Sequence, residues 1–129
     1  MKKKDIVTIV GRGFLSATAH CLPAEQFYKW HRFRKCVSTA FQDLVAQEKD
    51  LMQECNIDPR GNNKKKDEER YNKVYAAILD EEARLELPDK IPFEYYKLVY
   101  DENRTDKGDV FASFDIEDVM LENLFTQPE

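Results

Sequence analysis

Long apolar runs, glycine, proline, cysteine and histidine are all scarce in this 129-residue chain, and each shortage closes off a class of protein. No apolar stretch approaches the roughly 20 residues that a membrane-spanning helix needs, so no membrane segment is expected. The opening MKKKDIVTIV is basic, but Asp5 and Gly11 confine its apolar part to about five residues. A secretory leader needs roughly 7–15, and the chain is therefore expected not to be secreted. With 4 Gly and 5 Pro, a many-turned β architecture is disfavoured. The three cysteines, Cys21, Cys36 and Cys55, are odd in number and form no CxxC pair, which argues against a disulfide framework. With only His20 and His31 beside them, a metal centre would need distant residues to converge. No metal and no cofactor are expected.

Catalytic signatures are equally sparse. Gly11-Arg12-Gly13 lacks the third glycine of a dinucleotide fingerprint and the Lys-Ser/Thr of a phosphate loop, and reads as a turn. His20 and Cys21 are adjacent, so on a helix their side chains diverge by about 100° rather than converge on a substrate. The acidic clusters at 67–69 and 80–82 match no calcium-loop or Glu-x-x-His spacing and read as solvated faces. The expectation is a protein without enzymatic activity.

What the chain does contain is a core's worth of apolar material, 42% of residues with 15 aromatics, and an uneven charge layout. Residues 1–36 carry net +6, residues 37–99 net −4 and residues 100–129 net −7. A basic head and an acidic tail imply either internal complementarity or two surfaces with different partners. The length suits one domain, 1–129.

The strongest periodic signal runs from Phe27 through Trp30, Arg34, Val37, Phe41, Leu44, Glu48 and Leu51 to Cys55. The steps alternate three and four, which places these side chains on one stripe of an α-helix. Pro23 suits its first turn. About 32 residues give a rod of roughly 48 Å. Asn, Pro and Gly between 56 and 63 end it. A second helix is expected over residues 67–86, with Tyr71, Val74, Tyr75, Ile78, Leu79 and Leu85 on its apolar face. A loop of about ten residues lets it return antiparallel. Around this hairpin (about 24–87), residues 5–10 are β-branched and read as a short strand, and residues 14–22 as a short helix. Residues 85–87 could extend before Pro88 and meet that strand. In the carboxyl-terminal segment, residues 92–100 could be helix or strand, 101–109 a polar loop, and 115–125 a short acidic helix. The fold class expected is mainly α, with a minor β contribution.

Residues 29–35 mix cations with Trp30 and Phe33, the vocabulary of nucleic-acid surfaces. On a helix, however, Trp30 and Phe33 turn to the core while Lys29, Arg32 and Lys35 form a flank. That flank is either solvated, a nucleic-acid face together with Lys2-Lys3-Lys4 and Arg12, or a dock for acidic protein. Arg34 and Glu48 interrupt the apolar stripe, either as register devices or by snorkelling to water.

The order of strand, short helix, proline, long helix, Gly-Asn turn and acidic return helix resembles a family of small uncharacterised proteins of tailed bacteriophages and prophages. The matching pieces are residues 5–10, Leu22-Pro23, 27–55, Gly61-Asn62 and 71–87, about two thirds of the chain. The function of that family is not established, so the resemblance carries over no site residue. It implies a phage or prophage setting, in the bacterial host cytoplasm or on the virion.

A 48 Å rod outruns a 30 Å return helix, so an uncovered apolar length is expected to meet the terminal segments or another chain. The interaction candidates are Trp30, Phe41, Leu44, Leu51, Met120 and Leu124, and self-association or a protein partner follows. Nucleic-acid binding through Lys29, Arg32 and Lys35 is the alternative.

Overall fold

The computed structural model describes residues 1–105, 108–109 and 122–127, and over these the chain is mainly helical. Residues 5–10 are not a strand. They lie inside α1, Lys3–Gly11. β-branched residues favour strands only where a sheet receives them. Here Ile6 and Ile9 stand one helical turn apart and both are buried. The Asp5 carboxylate accepts the Lys2 N–H at 3.0 Å, and the Asp5 N–H donates to the Lys2 carbonyl at 3.0 Å, which fixes the helix start. The chain leaves α1 through Gly13, whose φ of +90° would strain any other residue. The helix expected over 14–22 shrinks to one 3-10 turn, Phe14–Ser16.

α2 spans Ala24–Glu54 without interruption, about 46 Å. Pro23 precedes it and Glu25 occupies its first turn, where the helix dipole favours a carboxylate. Its end is a turn with Asn56 and Gly61 at positive φ. The Asp58 carboxylate accepts the Arg60 N–H at 2.9 Å, and the Asn63 amide oxygen accepts the Asp58 N–H at 2.6 Å.

α3 covers Lys65–Leu79 and is only about 22 Å long, seven residues short of its expected end. The chain turns off at Asp80 because residues 81–83 pair with the amino terminus. The Lys3 N–H donates to the Glu81 carbonyl at 3.0 Å, and the Ala83 N–H to the Met1 carbonyl at 2.9 Å. The pairing expected at 85–87 thus occurs a few residues earlier, as a single antiparallel bridge between Lys2 and Glu82. Leu85 leaves the α3 face and packs near α1 and the first half of α2.

Of the two readings for residues 92–100, the helix is present. A 3-10 turn, Phe93–Tyr95, runs into α4, Tyr96–Asn103. Where a polar loop was expected, α4 finishes and a two-residue antiparallel ladder follows, β1 Arg104–Thr105 with β2 Gly108–Asp109. The acidic helix expected at 115–125 falls largely outside the described residues, as does Met120. At its end, Leu124 and Phe125 are buried, and the Ile91 N–H donates to the Leu124 carbonyl at 2.8 Å.

Two apolar clusters result. The first gathers Ile6 and Ile9 of α1, Phe14, Trp30, Phe33 and Val37 of α2, Ile91, Val99 of α4, and Leu124 with Phe125. Phe14 is its hub, with its ring 5.3 Å from Trp30 and edge-on to Phe33 at 5.7 Å. The second holds Leu44, Leu51 and Cys55 of α2 against Ile78 of α3, with Tyr71, Tyr75 and Leu79 beside them.

Candidate functional site: a cation-rimmed cleft on the long helix

The amino-terminal lysines are neutralised within the chain. Lys2 Nζ lies 2.9 Å from Asp80 Oδ1 and Lys4 Nζ 3.9 Å from the same oxygen. Lys3 Nζ reaches Glu81 Oε2 at 3.2 Å and Gln47 Oε1 at 3.1 Å. The hydrogen bond to Asp80, then its charge, raises the Lys2 ammonium above its ordinary value, and the same contact holds the Asp80 carboxyl below its own. The nucleic-acid alternative drew on Lys2-Lys3-Lys4, and here these three cations stand beside carboxylates of the chain's own residues. Among the described residues the acids that meet the amino-terminal lysines come from 80–82.

The basic flank of α2 behaves differently. Lys29 donates to the Lys90 carbonyl at 3.4 Å and so helps tie down residues 81–91, the strap that follows α3. Cys36 does the same, its thiol donating to the Glu86 carbonyl at 3.4 Å. Between α2 and this strap lies a cleft of about 380 Å³. From α2 it is lined by Arg32, Lys35, Cys36, Ala40 and Asp43, and from the strap by Arg84, Leu85 and Glu86. The spacing 32, 36, 40, 43 keeps the α2 members on one side of the helix. Arg32, Lys35 and Arg84 are exposed, and none forms an ion pair among the described residues. The Arg32 guanidinium sits 5.8 Å from the centroid of the exposed Tyr28 ring. A second hollow, about 300 Å³, flanks the other side of Lys35 and includes His31 and Arg34. The cleft presents charge, apolar surface from Ala40 and Leu85, and one thiol.

The apolar candidates are placed elsewhere. Trp30, Leu44, Leu51 and Leu124 are buried in the chain's own clusters, and Phe41 is half-buried against the first. Of the two covers expected for the length that α3 leaves bare, the chain's own segments supply most, and Phe27 and Val45 stay exposed. α1, the strap, α4 and residues 124–125 cover what α3 does not reach. Sequence periodicity finds a stripe, and nothing in it tells which segments supply the cover. Arg34 turns out to solvent, and Glu48 accepts the Tyr71 hydroxyl at 2.9 Å.

Two groups of structural weight carried no sequence signal. Asn103 is buried, and its amide accepts the Thr18 N–H at 2.8 Å while donating to the Thr18 and Val99 carbonyls at 2.7 and 2.8 Å. The Glu102 carboxylate accepts the Thr18 hydroxyl at 2.6 Å, the His20 N–H at 3.0 Å and the Cys21 N–H at 2.6 Å. Burial alone would raise the Glu102 carboxyl, but these donors outweigh it and hold it below its ordinary value. The neighbouring Cys21 thiol is pushed up to about 11, by desolvation first and then by Glu102. The His20 ring stacks on Phe27 at 6.2 Å. Arg84 was likewise passed over, a lone arginine after α3 with no pattern to mark it.

Among the described residues no cluster of His, Cys, Asp or Glu is arranged to hold a metal ion, and no helix is long and apolar enough to cross a membrane. No family model matches the chain, and neither a curated protein nor a solved structure matches it.

Proposed function

We propose that this protein acts without catalysis, through protein contacts, and that its partner is received at the cleft between α2 and the strap. The observation that supports this is a contrast within one molecule. The lysines of the amino terminus are paired with Asp80, Glu81 and neighbours, whereas Arg32, Lys35 and Arg84 stand unpaired around a cavity with Cys36, Ala40 and Leu85 at its base. Exposed cations ringing a partly apolar hollow are a recognition surface. The setting we propose is that of a phage or prophage protein, in the host cytoplasm or on the virion. It rests on the order of long helix, Gly-Asn turn and return helix, since the short strand of that resemblance is helical here. Self-association remains a second form that this protein contact could take: Trp30, Leu44 and Leu51 are buried, whereas Phe27 and Val45 of α2 stay exposed.

The test is affinity capture with the full chain and a variant carrying Arg32→Glu, Lys35→Glu and Arg84→Glu. The wild type should retain a protein that the variant loses, with nuclease making no difference. Identical captures would remove the cleft from the function.

Nucleic-acid binding is the second reading. It draws on the Arg32–Tyr28 stack and on Arg34 and Lys35 opening to the same solvent side. It requires affinity for single strands that falls with a log–log salt slope of about −0.7 per phosphate neutralised. Absence of any shift at low salt ends it.

A further inference from the structure

We propose that the cleft takes an extended acidic segment of the partner, its carboxylates meeting Arg32, Lys35 and Arg84 and its apolar side chains meeting Leu85 and Ala40. This rests on the protein-binding reading above and adds the chemistry of the partner. Length fits first. Arg32 to Asp43 is eleven helical steps along α2, about 16 Å, which matches about five residues of extended chain.

Charge then chooses between anionic polymers. Asp43 and Glu86 stand in the same lining as the three cations. A nucleic acid carries a phosphate on every nucleotide and would set some of them against these two carboxylates. A peptide spaces its charges freely and can keep its acids to the arginines and lysine. Arginine suits this role, since its planar fork pairs a carboxylate through two parallel hydrogen bonds.

The strap adds main-chain partners. The N–H groups of Arg84, Leu85, Glu86 and Leu87 donate to nothing among the described residues. In an extended segment alternate amides share an edge, and such an edge grips an extended peptide without regard to its sequence while alternate side chains set specificity. A peptide alternating acidic and leucine residues matches both features.

The probe is a fluorescein-labelled peptide, Asp-Leu-Glu-Leu-Asp-Leu-Glu, titrated with the full chain and followed by anisotropy. Binding should weaken at least tenfold in Arg84→Glu, and the same peptide with lysine at every acidic position should not bind. Without any substitution, saturating acidic peptide should slow alkylation of Cys36, which lines the cleft, and leave Cys21 unchanged. Unaltered affinity in the variant, unaltered Cys36 labelling, or tighter binding of an oligothymidine of equal charge would overturn the inference. If the peptide fails while the triple variant still loses its captured protein, the protein-binding reading stands and only the acidic partner falls. If both fail, both readings fall.

Discussion

The two halves of α2 carry one continuous stripe and are covered in two different ways. Trp30, Phe33 and Val37 are enclosed by α1, the Phe14 turn, the strap, α4 and the chain around Leu124. Leu44, Leu51 and Cys55 have chiefly α3 and the residues beside it. The pins of the first half join residues far apart in sequence, such as Asn103 to Thr18 across 85 positions. In the second half Tyr71 reaches Glu48 across only 23. One half is thus closed by long-range assembly and the other mainly by a local return, to which α1 adds Val7 and the Lys3–Gln47 bond; the local half is expected to open more readily. A helical stripe tells that cover exists; its source decides cooperativity.

The largest effect expected comes from deleting side chains in each half. Phe33→Ala should cost about 4 kcal/mol and Leu51→Ala about 2, because Phe33 is the larger side chain and is fully enclosed whereas Leu51 keeps a little exposure. Urea unfolding measures both, and equal costs would break the comparison. Next is Asn103→Ala, expected at about 2 kcal/mol, since it removes a buried bond to the Val99 carbonyl and two part-buried bonds to the Thr18 main chain. It should loosen α4 and leave α3 unchanged, read by amide exchange.

Acid and alkali should then attack opposite halves. Glu102 has a lowered folded pKa, so its stabilisation is full above the ordinary carboxyl value of 4.5 and disappears as pH falls through the folded value. Glu102→Gln should flatten that acid limb. Tyr71 is the reverse case. Desolvation, then the bond to Glu48, pushes its hydroxyl up to about 12, so its contribution is full below 10 and declines as pH rises from there toward 12. Tyr71→Phe should remove this alkaline loss, seen in ultraviolet titration of the phenols. The smallest effect is that of Asp80→Asn. Its pairs with Lys2 and Lys4 are exposed, and the change should be undetectable at 0.5 M salt.

These outcomes also mark how far the residues could be read. α2 was legible because its stripe repeats over seven turns and Pro23 announces its start. α1 was not, since IVTIV satisfies a strand by propensity and a helix by Ile6/Ile9 spacing, and only burial on α2 decides. α3 begins near where its pattern begins, but its end depends on the main-chain pairing of residues 81–83 with Met1–Lys3, a contact between chain regions that no local window contains. The candidate cleft was half visible. Arg32 and Lys35 stand out in a basic run, whereas Arg84 joins them only because the strap returns to α2. The same return is why Lys29, chosen with them, serves the strap.

The most direct measurement is amide hydrogen exchange across the whole chain at neutral pH. Residues 30–40 should exchange only with global unfolding, while α3 and the last turns of α2 exchange earlier as a separate unit. A single uniform protection level from 24 to 79 would contradict the division of this helix into a wrapped half and a locally covered one.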